Sequence, residues 1–88
     1  MGRVGAFYDV MPDGTEVSVD DLMTVIPKVM PAGVEISEMK VEPIAFGLKK
    51  IVLSTVMDDK EGLVTALEEA LLSVDGIQNV ECVMTTLL

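Results

Sequence analysis

The sequence predicts an α+β fold in which two helices cover one face of a four-stranded antiparallel sheet. Three observations favour it: two segments place apolar residues at helical spacing, four segments show strand-like patterns, and their order along the chain is βαββαβ. The chain has 88 residues and half of them are apolar, which suffices for one core but not for two. We therefore expect a single domain that spans residues 1–88.

The first strand and the first helix occupy the first third of the chain. A strand is predicted from Arg3 to Met11 because apolar side chains fall on alternate positions, and Pro12-Asp13-Gly14 follows with turn residues. Ser18 is a candidate N-cap for a helix whose apolar residues recur at helical spacing from Val19 to Met30. Pro27 lies inside this helix and lacks a backbone N–H, so we expect a kink or an early stop just before it.

The middle of the chain predicts two neighbouring strands. In the segment from Val34 to Glu42 the apolar alternation slips by one position at Ser37-Glu38, which indicates a β-bulge. The segment from Leu48 to Met57 is mostly apolar on both faces, as is typical of a central strand. A short connection separates the two segments, so the strands are expected to pair antiparallel.

The last third of the chain predicts a helix and a final strand. Asp58-Asp59 places negative charge where a helix N-terminus favours it, an apolar stripe runs from Leu63 to Val74, and Gly76 is a helix terminator. A strand follows from Ile77 to Thr86, with one face formed by Val80, Cys82 and Met84. The complete order matches the ferredoxin-like βαββαβ sandwich.

The composition disfavours several classes of function. The chain has no histidine, which removes the commonest general base and zinc ligand, and its one cysteine, Cys82, forms neither an internal disulfide nor a thiolate metal site. Acidic neighbours such as Asp20-Asp21 do not share a helix face and so do not converge for acid–base catalysis. We expect no metal, no cofactor and no enzymatic activity.

Charge and hydropathy limit the partners. The net charge of −9 repels phosphate backbones and anionic membranes, and one tyrosine and two phenylalanines offer few surfaces for base stacking. No stretch approaches the roughly 20 apolar residues of a membrane-spanning helix, and the N-terminal segment lacks the pattern of a signal peptide. A cytoplasmic protein without direct nucleic-acid or membrane contact is expected, with a protein partner that carries a basic surface.

The connection between the two middle strands is the strongest candidate for a binding site. Strand connections usually carry polar turn residues, whereas this one is apolar, permits a tight turn and is followed by two lysines. Its candidate contact residues are Pro43, Ile44, Phe46, Gly47, Lys49 and Lys50. Two interpretations stay open: an exposed docking tip, or apolar side chains that fold back to cap the core. The two lysines alternate along a strand and therefore point to opposite faces.

The sheet face away from the helices offers an alternative. If the helices cover the other face, this open face carries an apolar group formed by Phe7, Val52, Val56 and Val83. Such a surface is compatible with self-association or with binding of a small molecule or another protein. Scattered apolar residues on an ordinary open sheet explain the pattern about equally well.

Residues 43–50, Pro-Ile-Ala-Phe-Gly-Leu-Lys-Lys, resemble a signature of the translation elongation factor 1-beta family in its archaeal form. Asp58-Asp59-Lys60 before the second helix and Val10-Met11-Pro12 at the end of the first strand add weaker matches. The resemblance implies a ferredoxin-like domain that promotes guanine nucleotide exchange on elongation factor 1-alpha, the GTPase that delivers aminoacyl-tRNA. Such a factor binds the nucleotide-free GTPase more tightly than the GDP-bound form, so covalent chemistry is not required.

The resemblance also implies two contacts with the GTPase. Phe46, with Pro43, Ile44 and Gly47, would dock on its second domain, while the C-terminal residues Leu87 and Leu88 would approach the nucleotide-binding domain and its magnesium site. Well-known members carry a lysine just before the last residue. Here that position is Leu87, and no lysine or arginine follows Lys60. An apolar side chain does not replace a cation, so the magnesium-displacing half of the family mechanism is not evident in this sequence.

Overall fold

A computed structural model describes residues 2–14, 17–59 and 62–88 of the chain. It contains the predicted order of elements: β1 (Arg3–Pro12), α1 (Val19–Val29), β2 (Val34–Pro43), β3 (Lys49–Asp58), α2 (Leu63–Leu72) and β4 (Ile77–Leu87). The sheet has the strand order β2-β3-β1-β4 with every neighbour antiparallel, which confirms the ferredoxin-like sandwich. No described helix is long and apolar enough to cross a membrane.

The core lies between the two helices and the central strands. β1 and β3 pair directly in the sheet, and their alternate residues are fully buried beneath helical side chains. The completely buried side chains include Tyr8, Val10, Ile26, Ile51, Leu53, Leu67 and Leu71. Each large apolar side chain buried in this way contributes roughly 1.5–3 kcal/mol relative to an exposed one, so the three elements β1, β3 and α2 carry much of the stability.

Helix α1 begins as predicted but does not stop early. The Ser18 hydroxyl oxygen accepts a hydrogen bond from the amide of Asp21 at 3.3 Å and caps the helix. The helix then runs to Val29 with Pro27 inside it, so the predicted early stop is wrong. Pro27 removes a single backbone bond close to the helix end, and Ile26, which is fully buried in the core, anchors that last turn.

Three register shifts, at Ser37 in β2 and at Gln78 and Val83 in β4, set which side chains face the core. The bulge predicted at Ser37-Glu38 is confirmed by a register shift of β2 against β3. A second bulge, which the sequence analysis missed, skips Val83 between the pairs Tyr8–Cys82 and Phe7–Met84. Because paired residues share a face, Met84 lies on the open face beside Phe7. The prediction that Met84 shares the core face of Val80 is therefore wrong.

The acidic pair before α2 belongs to the sheet and not to the helix. Asp58 ends β3, and the amide of Asp59 donates to the carbonyl oxygen of Gly2 at 3.0 Å. The helix begins only at Leu63, after Gly62 in a left-handed conformation and with no acidic residue in its first turn. The predicted helix start at Asp58-Asp59 is wrong because strand pairing with β1 takes these residues. Lys60 lies outside the described residues.

The helices are too short to cover the sheet. Helices of 11 and 10 residues are about 15–17 Å long, whereas strands of 10 and 11 residues span about 33–37 Å. The molecule is accordingly elongated, with extents of 43 × 20 × 17 Å. Both ends of the sheet project beyond the helices, and the predicted site residues lie at these two ends.

Candidate functional site

The connection between β2 and β3 forms a tight, hydrogen-bonded tip, which we call the hairpin tip (residues 44–48). The amide of Leu48 donates to the carbonyl oxygen of Ala45 at 2.8 Å, and the amide of Ile44 donates to the carbonyl oxygen of Leu48 at 2.8 Å. The central residues Phe46 and Gly47 have φ angles of 53° and 80°, as in turns of type I′. Glycine adopts such angles freely, whereas phenylalanine does so at a cost of about 1–2 kcal/mol.

The tip is exposed and does not cap the core. The side chain of Phe46 is 97% exposed and that of Ile44 is 46% exposed. The interpretation in which both fold back over the strand ends is therefore wrong. An aromatic side chain in a strained backbone conformation gains no burial in return within this fold. The hairpin tip thus holds a large apolar group out in solvent.

The two lysines beside the tip have different surroundings. Their opposite orientations are confirmed, because Lys50 shares the open face with its neighbour Asp9 while Lys49 lies on the helix side near Gly47. Lys50 Nζ donates to Asp9 Oδ2 at 3.1 Å, and both side chains are largely covered. This hydrogen bond, together with the charge of the carboxylate, raises the pKa of Lys50. Lys49 is exposed and has no ion pair among the described residues.

Lys49 and Gly47 also line a cleft between the hairpin tip and the start of α1. Its other walls come from the end of β1 and the segment that leads into the helix, namely Pro12, Gly14, Val17, Ser18, Val19 and Asp20. The lining of the cleft is more polar than apolar and includes one cationic side chain, Lys49, and one anionic side chain, Asp20. It extends the surface that a protein docking on the tip would meet.

The C-terminal candidates lie at the other end of the molecule. Leu87 pairs with Val4 at the start of β1, and the amide of Leu88 donates to the carbonyl oxygen of Arg3 at 2.9 Å. Leu87 is 76% exposed and Leu88 is 69% exposed. The hairpin tip lies beyond the other end of β1, about 26 Å of strand away. The structure therefore divides the predicted site residues into two separate groups.

The register also places a cation at this end that the sequence analysis missed. Arg3 lies beside Leu88 across the β1–β4 ladder, and its guanidinium contacts Glu35 at 3.6 Å and Asp58 at 3.9 Å. All three side chains are substantially exposed, so these ion pairs contribute little to stability. Arg3 and Leu88 are far apart in sequence, so only the pairing of the first and last strands shows that they are neighbours.

In the interior of the described part of the chain, the buried polar side chains have hydrogen-bonding partners. No group of three or more histidine, cysteine, aspartate or glutamate side chains converges there, and no buried polar side chain lacks a hydrogen bond. The fully buried Tyr8 hydroxyl donates to Glu68 Oε2 at 3.5 Å. Burial, the Cys82 thiol and the Glu68 carboxylate all raise the pKa of Tyr8 well above its ordinary value, so this hydroxyl is a poor proton donor near neutral pH.

The fold and the site together define a small ferredoxin-like domain whose distinctive features are two exposed apolar ends and not a buried pocket. A ferredoxin-like fold by itself does not define a function. Comparison with known proteins is more specific. The chain belongs to the family of the EF-1 guanine nucleotide exchange domain, whose family model matches residues 6–88.

Archaeal relatives match over nearly the whole chain. The chain is 38% identical over 81 residues to elongation factor 1-beta of Methanococcoides burtonii, covering 92% of this chain and 91% of the relative. It is 38% identical to elongation factor 1-beta of Archaeoglobus fulgidus, covering 92% of each chain, and 37% identical to that of Methanosarcina barkeri, covering 94% of each. These matches confirm the family resemblance and support a guanine nucleotide exchange role in elongation.

A solved structure supports the fold independently. The ACT domain from GTP pyrophosphokinase of Chlorobium tepidum superposes with a TM-score of 0.62, covering 94% of this chain and 100% of that domain. The two sequences are only 17% identical, so this likeness supports the ferredoxin-like fold alone.

Proposed function

We propose that this chain is a cytoplasmic elongation factor 1-beta that promotes exchange of GDP for GTP on elongation factor 1-alpha. The observation that carries the proposal is Phe46, 97% exposed on a strained turn, in a chain that matches a nucleotide exchange domain over residues 6–88. The cytoplasmic location follows from the role in protein synthesis.

Exchange by such a factor is a matter of linked binding equilibria. A protein that binds the nucleotide-free GTPase more tightly than the GDP-bound form lowers GDP affinity by the same factor. A 100-fold effect corresponds to about 2.7 kcal/mol of differential binding energy. No proton transfer or nucleophile is needed for such an exchange.

In the proposal, the hairpin tip supplies the larger share of the total binding energy of the complex, as distinct from the differential energy that lowers GDP affinity. A phenylalanine buries about 150–250 Å² in an interface, worth roughly 4–6 kcal/mol before the costs of association. Phe46 is already held in one backbone conformation by the hydrogen bonds of the turn, so little additional ordering is required on binding. This docking surface also includes Pro43, Ile44, Gly47 and Lys49. Lys50 lies beside it, and its ion pair with Asp9 holds its side chain in place.

The C-terminal end makes the second proposed contact. Because the two ends are separated by about 26 Å of strand, one partner must be large enough to reach both. Leu87 and Leu88 are exposed and uncharged, so the contact is apolar and operates without the cation that the family resemblance implies at position 87.

GDP release from purified elongation factor 1-alpha tests the proposal. The GTPase is loaded with a fluorescent GDP analogue, and its release in excess unlabelled GTP is followed with and without this chain. The proposal predicts faster release that saturates with increasing concentration of this chain. Unchanged release at concentrations where a complex forms would refute it.

Self-association through the open sheet face stays an alternative prediction. Val83 and Met84 are 59% and 53% exposed on or beside that face, which favours it. The acidic residues Glu38 and Glu81 lie at the margins of the same face, and two copies would bring these charges together. Sedimentation equilibrium at two salt concentrations distinguishes a monomer from a dimer that forms as charge repulsion is screened.

A further inference from the structure

The outer edge of β4 is available for strand pairing. β4 is the last strand of the sheet and pairs with β1 on one side; across the described ranges, no strand pairs with its other side. In an edge strand of an antiparallel sheet, the N–H and C=O groups of every second residue point away from the sheet. Such groups accept an additional strand from a partner.

The hydrogen bonds of the sheet identify the groups that point outward. The amide of Leu88 donates to the carbonyl oxygen of Arg3 at 2.9 Å, so this residue faces β1. Hydrogen-bonded and non-hydrogen-bonded pairs alternate along the ladder, and the register continues through Leu87, Thr86 and Thr85 without a shift. The backbone of Thr86 therefore faces β1, while the backbones of Thr85 and Leu87 face outward.

The two edges of the sheet differ in their protection against pairing. β2, at the other edge, carries four charged residues, a bulge at position 37 and a terminal Pro43, all of which discourage an additional strand. From Cys82 to Leu88 the chain has no charged side chain, no proline and no glycine. The bulge at Val83 precedes a regular segment of five residues, 84–88. This segment has the features of a pairing edge.

We infer that the outer edge of residues 84–88 binds an extended segment of the GTPase, which adds a fifth strand beside β4. This inference rests on the proposed function. Backbone hydrogen bonds require no charged side chain. They can therefore provide contact through residues 82–88, none of which has a charged side chain. A second copy of this chain fits less well, because five-residue segments bury well under the roughly 1,000 Å² of a stable interface and each copy carries a charge of −9.

Amide hydrogen exchange with nucleotide-free elongation factor 1-alpha tests the inference. In the free protein the amides of Thr85 and Leu87 exchange rapidly, while the amide of Thr86 is protected by β1. In the complex, exchange at Thr85 and Leu87 slows by about tenfold or more as new hydrogen bonds form. Val41 on β2 points outward by the same alternation, and its amide serves as the control that keeps its exchange rate.

A proline variant provides a second measurement. Thr85→Pro removes one outward N–H and leaves the pairing groups of Thr86 intact, which edge strands tolerate. The loss of one hydrogen bond, with its partner carbonyl left unpaired, weakens GTPase binding by about tenfold. Ser37→Pro, in the bulge of the opposite edge, is the matched control with unchanged affinity. Circular dichroism checks that both variants fold.

The outcomes separate this inference from the proposed function. If the wild-type chain does not accelerate GDP release, the proposed function fails, and this inference fails with it. If release is accelerated and the amides of Thr85 and Leu87 exchange as in the free protein, the edge does not pair and only this inference is overturned. The amide measurement decides even where Thr85→Pro does not fold.

Discussion

Substitution of Phe46 separates a docking role from a structural one. The side chain is 97% exposed, so Phe46→Ala removes no buried area and keeps the same backbone strain. The free energy of unfolding is therefore expected to stay within about 0.5 kcal/mol of wild type, the usual range for surface substitutions. Phe46→Gly also relieves the strain of the left-handed conformation, which stabilises the folded chain by about 1–2 kcal/mol. The greater freedom of glycine in the unfolded chain opposes this by about 0.4–1 kcal/mol.

The two variants are thus expected to differ in stability but not in binding. Phe46→Gly is expected to melt a few degrees above Phe46→Ala, because 1 kcal/mol shifts the melting temperature by about 4–8 °C in a domain of 60–100 residues. Both are expected to lose at least about 2 kcal/mol of affinity for elongation factor 1-alpha, as for a buried aromatic anchor, which is roughly 30-fold in Kd.

Differential scanning calorimetry and a binding titration measure the two effects. Leu72→Ala is the matched control, because Leu72 is a 49% exposed apolar residue on α2 and is not part of the hairpin tip; its affinity for the GTPase is expected to equal that of wild type. A fall of many degrees in the melting temperature of Phe46→Ala would show that Phe46 supports the fold. Unchanged affinity in Phe46→Ala would show that the hairpin tip is not the docking site.

Two further predictions concern the turn and the buried hydroxyl. Gly47 has a φ of 80°, so Gly47→Ala is expected to lower the free energy of unfolding by about 1–2 kcal/mol and to weaken GTPase binding by displacing Phe46; a denaturant titration with unchanged stability would contradict this. Tyr8 is the sole tyrosine, so absorbance of tyrosinate near 295 nm reports it alone. Burial raises its pKa, so the folded chain is expected to stay protonated at pH 10.5 while the chain in guanidinium titrates near pH 10. Because the pKa of Tyr8 is higher in the folded chain than in the unfolded chain, the stabilisation linked to Tyr8 is complete below pH 10 and is lost as the pH rises above 10 toward the folded pKa. Equal titration of the folded and unfolded chains would refute the burial argument.

The element order and most faces of the fold were predictable because hydrophobic periodicity reports burial directly. β1, β3 and the apolar stripe of α2 agree with the structure since each buries one regular face. The misses occur where tertiary pairing overrides a local signal. Asp58-Asp59 has the charge of a helix start, yet pairing with β1 extends β3 through Asp58. The bulge at Val83 carries no turn residue and follows from the packing of β4 on β1, so only the structure reveals it.

The sequence indicated where the candidate site lies along the chain but not its geometry. The apolar composition of positions 43–50 indicated a binding tip, yet the sequence alone did not distinguish exposure from burial of Phe46. The structure makes that distinction: the turn has positive φ angles at Phe46 and Gly47, and the Phe46 side chain is 97% exposed. The ion pair of Lys50 with Asp9 and the proximity of Arg3 to Leu88 result from strand register. Register is a property of the whole sheet, so no local pattern reveals it.

The distribution of charge gives the two ends of the molecule different roles in the proposed complex. A chain with a net charge of −9 is repelled by the phosphates of a bound nucleotide. The segment from Cys82 to Leu88 has no carboxylate side chain. Arg3 lies beside this segment, and its positive charge is compensated by Glu35 and Asp58. In the proposed complex, this segment therefore adds no side-chain repulsion to that of Glu35, Asp58 and Asp59, which lie at the same end of the sheet. Replacing Thr86, an exposed residue of the segment, with glutamate is accordingly expected to slow GDP release by an amount that decreases with added salt. A charge-neutral Thr86→Gln variant is expected to keep the wild-type rate, and an equal loss in both variants would show that side-chain shape, not charge, limits the approach.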